Sequence, residues 1–309
     1  MSLPDSLVRS VRAAFGARGE AFLEDLPDLI GRAQRRWDLR DIQPADSLSY
    51  NFVAFARCRG DDVVLKLGVP NRELTSEIRA LRRFDGRGAV RLLESDADAG
   101  MLLLERLRPG RTLTTVADDA QATDVAARVM LALDRPVPPD PDLIDVQSWF
   151  VAFERLRARF HGATGPLDAA IVERAEDFLA ARLAEEYKPM LLHGDLHHFN
   201  ILSSARGWLA IDPKGLIGPA GCEVGAFLMN PWVVTGRTAD TPLLIRHRVA
   251  ALSELLGFER QAIADWGVAH AVLSACWSLE EGRDWQIAMQ CAADLIGTRG
   301  GAHEFRRAR

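Results

Sequence analysis

Residues 191–213 read LLHGDLHHFNILSSARGWLAIDP, and no other stretch limits the possible folds of this chain so tightly. Asp195 is followed by Asn200 five positions on and by Asp212 twelve further, and each short polar run is flanked by apolar, strand-like residues. That pattern predicts strand, loop, strand. Its 309 residues exceed a comfortable single core, so two lobes are expected, and 48% hydrophobic residues are enough to bury both.

The residue types suit phosphoryl transfer. Moving a γ-phosphoryl group requires a carboxylate near the incoming hydroxyl and oxygen ligands for Mg²⁺ on the phosphates. Asp195 is the candidate carboxylate. Asn200 and Asp212 are the candidate metal ligands, because an amide oxygen and a carboxylate bind Mg²⁺ while leaving positions for phosphate oxygens and water. The run His193-Gly194-Asp195 with Asn200 corresponds to the His-Arg-Asp-x-x-x-x-Asn loop of protein kinases, with Gly194 replacing the Arg. Such a Gly argues against an activation-loop phosphate switch. The bland reading has Asp195 and Asn200 capping turns and His193, His197 and His198 as core or surface histidines. The correct spacing of all three acceptors and a matching upstream Lys outweigh it. A zinc site is disfavoured, since His-x-x-x-His-His in one short loop is not a tetrahedral spacing with a fourth ligand nearby.

Through HGDLHHFN at 193–200 and the later Asp212, the chain resembles the aminoglycoside phosphotransferase family of small-molecule kinases. WLAIDPKGLIGPAGCEVGAFLMNP, residues 208–231, resembles its streptomycin 6-kinase and hydroxyurea phosphotransferase branch, where Asp-Pro-Lys-Gly stands in place of Asp-Phe-Gly. The resemblance covers most of the chain and is most specific between residues 190 and 232. It implies an α+β, two-lobed protein-kinase-like fold with an N-lobe antiparallel sheet plus helices and a mainly helical C-lobe. Residues 1–107 would form the nucleotide-binding lobe ending in the hinge, and 108–309 the catalytic and substrate-binding lobe. ATP and Mg²⁺ are implied, with His193 holding the loop backbone. The implied acceptor is a small molecule, first a cationic aminoglycoside such as streptomycin, conferring antibiotic resistance. Hydroxyurea or another small hydroxylated metabolite is the alternative.

Along the chain, Leu7, Val11, Phe15, Phe22 and Leu26 form helical stripes, so one or two helices should precede the sheet. From Leu48 to Leu67 the pattern reads as a hairpin with a turn at Gly60-Asp61-Asp62, ending at Lys66. Lys66 between Leu65 and Leu67 is a candidate phosphate-binding Lys. A helix is expected from Asn71 to Asp85, carrying Glu77 as the partner of Lys66 by resemblance, with Glu73 as the competing choice. No Gly-x-Gly-x-x-Gly precedes Lys66; Ser49 and Asn51 could donate hydrogen bonds to phosphate or simply close a turn. The run Gly100 to Leu107 reads as the last strand and the hinge, with the Glu105 carbonyl and Leu107 amide as adenine contacts by resemblance.

Beyond the hinge, a loop is expected at Pro136 to Pro141, two helical patterns within residues 145–188 separated near Gly162 to Pro166, and helices from Thr241 to Ala293. Core candidates there are Leu252, Leu255, Leu256, Ile263, Val268 and Leu273. Trp277, Glu280, Glu281 and Asp284 are acceptor candidates, because indoles and carboxylates suit a polycation. A solvated helix end with buried Trp explains the same string. Glu223 and Asn230 are further acceptor candidates, and Lys214 could reach the transferred phosphate or pair with a nearby carboxylate.

A net charge of −5 and a pI near 5.9 give no basic footprint for nucleic acid. No run approaches a membrane span and no secretory leader stands out, so a cytoplasmic protein, monomer or weak dimer, is expected. Cys58, Cys222, Cys276 and Cys291 are widely separated and read as reduced thiols. A non-catalytic nucleotide-binding module is disfavoured because Lys66, Asp195, Asn200 and Asp212 are all present. A serine/threonine protein kinase is disfavoured by His-Gly-Asp, by Asp-Pro-Lys and by the missing Ala-Pro-Glu segment.

Overall fold

Period-two alternation along one strand decides where the charged residues of the first lobe point. In the computed structural model, which describes residues 3–46, 48–138 and 140–298, that strand is β3 (Asp61–Leu67), third in a five-stranded antiparallel sheet. The sheet runs β1 (Leu39–Pro44), β2 (Phe52–Cys58), β3, β5 (Met101–Glu105), β4 (Leu92–Asp96). Val63, Leu65 and Leu67 face one side, where they share an apolar cluster with helices α1 (Asp5–Phe15) and α2 (Ala17–Trp37). Val64 and Lys66 face the other, toward α3 (Arg72–Phe84), whose Leu74, Ile78 and Leu81 pack with Leu102 and Leu104.

Two helices do precede the sheet, with Leu7, Val11, Phe22 and Leu26 buried. Strand β1 is the element the sequence hides: only Leu39 is buried and the rest is half or fully exposed, so LRDIQP shows no clean alternation. Pro44 ends it at the sheet edge, where a missing N–H costs no ladder bond. The hairpin pairs only from Phe52, so the expected strand start at Leu48 is unpaired and residues 49–51 form a bend. Helix α3 begins and ends where its caps lie: the Asn71 side chain accepts from Leu74 N–H at 2.8 Å, and Asp85 takes a left-handed conformation at φ 49°.

The remaining chain is mainly helical, with short strands. β6 (Pro109–Thr112) pairs with β10 (Ile201–Ser204), which forms a hairpin with β11 (Gly207–Ala210). β7 (Arg135–Pro136), β9 (Met190–Leu192), β12 (Leu216–Gly218) and β8 (Ile144–Asp145) form a second small sheet in that order. Around these pack α4 (Asp119–Leu133), α5 (Val146–Trp149), α6 (Ala152–Arg159), α7 (Ala169–Ala184), α8 (Gly225–Met229), α9 (Trp232–Thr235), α10 (Thr241–Leu256), α11 (Arg260–Glu280) and α12 (Gln286–Gly297). Helix α11 is apolar nearly all round and buried from Ile263 to Cys276 apart from Ser274, which makes it the axis of this lobe. Leu252, Ile263, Val268 and Leu273 join the core as expected, whereas Leu255 is exposed and Leu256 only partly buried, because they end α10 beyond the buried stripe. The largest core also takes in Ala80 and Phe84 of α3, so that helix packs on both lobes.

All four cysteines are free thiols, three of them buried. Among the described residues no helix is long and apolar enough to cross a membrane. Pro139 of the expected loop and residues 299–309 of the second lobe lie outside the described residues.

The Asn71 cap makes a direct prediction: Asn71→Ala should lower the unfolding free energy by about 1 kcal/mol, read from urea denaturation midpoints at unchanged m.

Candidate active site

Strands β9 and β12 are neighbours, with Leu192 opposite Leu216, so the loops that follow β9 and precede β12 emerge side by side. The first carries His193 to Asn200 and the second Ile211 to Gly215. His193 joins them. Its Nε2 donates to the Ile211 carbonyl at 2.7 Å, its Nδ1 accepts from Asp195 N–H at 3.3 Å, and its own carbonyl accepts from Lys214 N–H at 2.7 Å. Complete burial pushes the imidazole pKa down to about 4, so it does this work as a neutral ring. Asn200 Nδ2 donates to the Asp195 carbonyl at 3.0 Å, and Ile211 N–H bonds the Asn200 carbonyl at 2.9 Å. Asp195, Asn200 and Asp212, spread over eighteen positions of sequence, are therefore held on two loops that bond to each other.

Gly194 has φ +80°, and a Cβ there would lie 2.5 Å from Leu216. The Arg of the protein-kinase loop cannot sit in this conformation without displacing β12. Asp212 also has a positive φ, 57°, a region that Asp and Asn tolerate better than other side chains.

Lys66 reaches these loops from the sheet. Its Nζ lies 2.7 and 2.8 Å from the two Glu77 oxygens and 3.2 Å from Asp212 Oδ1, and the residue is only 4% exposed. Burial opposes its charge, but the Asp212 and Glu77 carboxylates outweigh burial and raise its pKa. Burial pushes Glu77 up against the pull of Lys66. Desolvation works against Asp212 too, yet the Lys66 ammonium and its hydrogen bond hold that carboxyl below the ordinary range. Between the two glutamates of α3, Glu77 is the partner of Lys66, while Glu73 lies 3.5 Å from Lys214 Nζ.

The donor set fits a hard cation. The Asn200 amide nitrogen is committed to Asp195, which leaves Oδ1, and Asp212 has Oδ1 on Lys66, which leaves Oδ2. Among the described residues no cluster of three His, Cys, Asp or Glu side chains could hold a metal ion. His198 stacks on Phe227 with centroids 4.4 Å apart and accepts from Arg248 Nη2 at 3.1 Å. His197 Nε2 stands 3.6 Å from Asp195 Oδ1 and 3.4 Å from Asn200 Nδ2.

Two expected acceptor contacts face inward instead. Glu223 is 7% exposed, and its oxygens accept from the backbone N–H groups of His193 at 2.6 Å and Gly194 at 3.1 Å. It carries the loop floor. Burial pushes its carboxyl up to about 7 despite those two hydrogen bonds. Asn230 is also buried; its amide donates to the Ala226 carbonyl and its own carbonyl accepts from Arg248. Arg248, absent from the sequence-derived candidates, is fully buried and also bonds Asp119 and the Phe227 carbonyl, with its guanidinium 4.2 Å from the Trp232 ring centre. One signal was available: Ile245, Arg248, Val249 and Leu252 share a helical face, so the Arg lies in an apolar stripe.

Of the residues expected to meet the nucleotide, Ser49 is exposed at the bend before β2, whereas the Asn51 side-chain amide oxygen lies against Gly68. Glu105 N–H bonds the Arg91 carbonyl and its side chain pairs with Arg206; Leu107, like Val64 and Ile211, packs against the apolar cluster of α3 and β5. Of the residues expected to meet the acceptor, Lys214 has its Nζ 5.9 Å from the Trp149 ring centre, and Trp277 meets Trp149 edge-on at 5.2 Å. Burial opposes the Lys214 charge, but the Asp195 and Glu73 carboxylates prevail and raise its pKa. The three carboxylates expected to meet a cation already have partners. Glu280 is paired with Arg155, Glu281 with Arg283, and Asp284 accepts from Gln286 N–H.

The floor carboxylate is testable. Glu223→Gln sets an amide N–H₂ against a backbone N–H, and should cost about 1–3 kcal/mol of stability and lower kcat. Because the folded-state value lies above the ordinary 4.5, the Glu223 contribution is fully present below about pH 4.5 and is lost as pH rises through about 7. The stability gap between the native protein and the variant should therefore shrink over that window, as measured by denaturant unfolding at stepped pH.

A sequence family described as aminoglycoside/hydroxyurea antibiotic resistance kinase matches residues 36–282. A streptomycin 6-kinase of Streptomyces griseus is 33% identical over 283 residues, covering 91% of this chain and 92% of that one. A hydroxyurea phosphotransferase of Kitasatospora aureofaciens is 35% identical over 288 residues, 91% of this chain and 82% of that one. Among solved structures, the aminoglycoside phosphotransferase APH(4)-Ia superposes with a TM-score of 0.61 at 16% identity, over 90% of this chain and 99% of that one.

Proposed function

This chain belongs to the aminoglycoside/hydroxyurea antibiotic resistance kinase family, and from that premise we propose that it transfers the γ-phosphoryl group of ATP to a hydroxyl of a streptomycin-type aminoglycoside in the cytoplasm. The observation that carries the reading is the meeting of Asp195, Asn200 and Asp212 with the buried Lys66–Glu77 pair in one cleft. Lys66, oriented by Glu77, neutralises charge on the α- and β-phosphates. Asn200 and Asp212 would hold Mg²⁺, which supplies charge neutralisation on the phosphates when bound.

Asp195 receives the acceptor hydroxyl. The hydroxyl oxygen bonds to the γ-phosphorus as the bond to the ADP oxygen breaks, and the hydroxyl proton passes to the Asp195 carboxylate. Positioning and electrostatic stabilisation supply most of the acceleration. Gly194, His193 and Glu223 fix the height of the loop, so Asp195 meets the hydroxyl on a rigid support. Lys214, between Asp195 and Trp149, is positioned to meet the transferred phosphate.

A neutral acceptor such as hydroxyurea is the second reading, favoured by the arginine partners already sitting on Glu280 and Glu281. A coupled ADP-release screen over streptomycin, other aminoglycosides, hydroxyurea and simple amino alcohols separates the two. Turnover with streptomycin and none with hydroxyurea supports the first reading; the reverse replaces it. Asp195→Asn should keep nucleotide affinity and lose about a hundredfold to ten-thousandfold in kcat. Near-normal turnover in that variant would remove Asp195 from the mechanism.

A further inference from the structure

Helix α3 presents two charged or polar faces, and only one of them serves the cleft. Glu73 and Glu77, one turn apart, reach Lys214 and Lys66. Arg72, Ser76, Arg79 and Arg83 follow one another at helical spacing along a second face, and that face is fastened to residues 140–144. Arg72 Nη2 donates to the Leu143 carbonyl at 3.4 Å, Arg79 pairs with Asp142, and Arg83 pairs with Asp140.

The buried member of this row is Ser76, 0% exposed. Its hydroxyl donates to the Gly215 carbonyl at 2.6 Å and accepts from Ile144 N–H at 3.2 Å, while Ile144 N–H also bonds the Gly215 carbonyl at 3.3 Å. The three groups close a triangle between helix, strand β8 and the loop that carries Asp212. Gly215 has φ +69°, and a Cβ there would lie 2.5 Å from the Ser76 carbonyl oxygen. Glycine is what lets helix and loop approach backbone to backbone.

We propose that Ser76 is a positioning residue for phosphoryl transfer: it clamps α3 to the Asp212–Gly215 loop and so keeps Glu77 on Lys66 without an external switch. Ser76 precedes Glu77 in sequence, and Gly215 follows Lys214. The clamp therefore fixes the height and rotation of Glu77 against the loop bearing both Asp212 and Lys214. Lys66 touches Glu77 and Asp212 at once, so a shift of α3 lengthens one contact or the other. Where control depends on swinging such a helix, the Lys–Glu pair is made and broken. Here the helix is tied to the catalytic loop and the pair is permanent. The exposed Arg79–Asp142 pair adds little, and with the partly buried Arg83–Asp140 pair it keeps the helix aligned.

The inference rests on the phosphotransfer reading, and its test separates the two. Ser76→Ala keeps the Ile144 to Gly215 hydrogen bond, so the variant should fold, as checked by its Tm. Its kcat should fall about tenfold at nearly unchanged acceptor KM, through misplacement of Glu77. In a Glu77→Gln background, followed by single-turnover transfer with enzyme in excess, the same substitution should change the rate by less than about twofold, because the residue it acts through is already gone. Hydrogen exchange by mass spectrometry over residues 72–84, which needs neither ATP nor acceptor, should rise in Ser76→Ala. A native kcat in Ser76→Ala, an undiminished loss on top of Glu77→Gln, or unchanged exchange in α3 would each overturn the proposal. If the native protein phosphorylates no acceptor, the kinase reading fails alone, and the exchange comparison still decides whether Ser76 holds the helix.

Discussion

A lysine ammonium only 4% exposed dictates how this molecule is assembled. A buried charge costs several kcal/mol unless it is paired and hydrogen-bonded. The partners of Lys66 come from elsewhere: Glu77 from α3 and Asp212 from the loop between β11 and β12. The desolvation cost is met only when sheet, helix and catalytic loop are all in place. Such a cluster is a poor source of stability and a strict condition on geometry. It also leaves two carboxylates on one ammonium, an excess of negative charge that suits a cation beside the phosphates.

The loop that faces this cluster is rigid for reasons remote in sequence. Glu223 anchors its backbone from below, and His193 ties it to the Ile211 turn. Arg248 reaches His198 while bonding Asp119 at the start of α4 and the carbonyls that end α8. Every one of these groups is buried or nearly so, where hydrogen bonds are strong and an unmade one is costly. Catalytic precision in the cleft is thus bound up with polar order in the core of the second lobe.

The residues proposed to act on phosphate stand out in the sequence because the chemistry expected of them fixes their types and spacing. Asp195, Asn200 and Asp212 lie within one short segment, and Lys66 interrupts an apolar strand whose alternation sends it to the side of α3. The supporting residues were not legible in the same way. Glu223 looked like an acceptor contact because it follows Asp212 closely; nothing local says that its carboxylate turns back onto two backbone amides. Ser76 is an ordinary helix residue until Gly215 is brought against it by the packing of distant elements. Strand β1 was hidden because an exposed edge strand needs no buried face. Local pattern reveals groups that act on a ligand; groups that act on other parts of the protein are defined by long-range contact.

The carboxylates near the end of α11 show the same division. Glu280 and Glu281 are attractive as sequence, but each already carries a guanidinium. A cationic drug that displaced Arg155 from Glu280 would trade one exposed ion pair for another, and exchanges of that kind gain little free energy. Trp149 meets Trp277 edge-on and already has the Lys214 ammonium over its ring, so its aromatic face is partnered within the protein as well. Lys214 in turn lies within the influence of Asp195 and Glu73, so the cation over the Trp149 ring is also coupled to the carboxylate of the His193–Asn200 loop. The Trp149 ring and the Asp195 and Glu73 carboxylates therefore set the surroundings of Lys214, whereas the carboxylates near the end of α11 are held by Arg155 and Arg283.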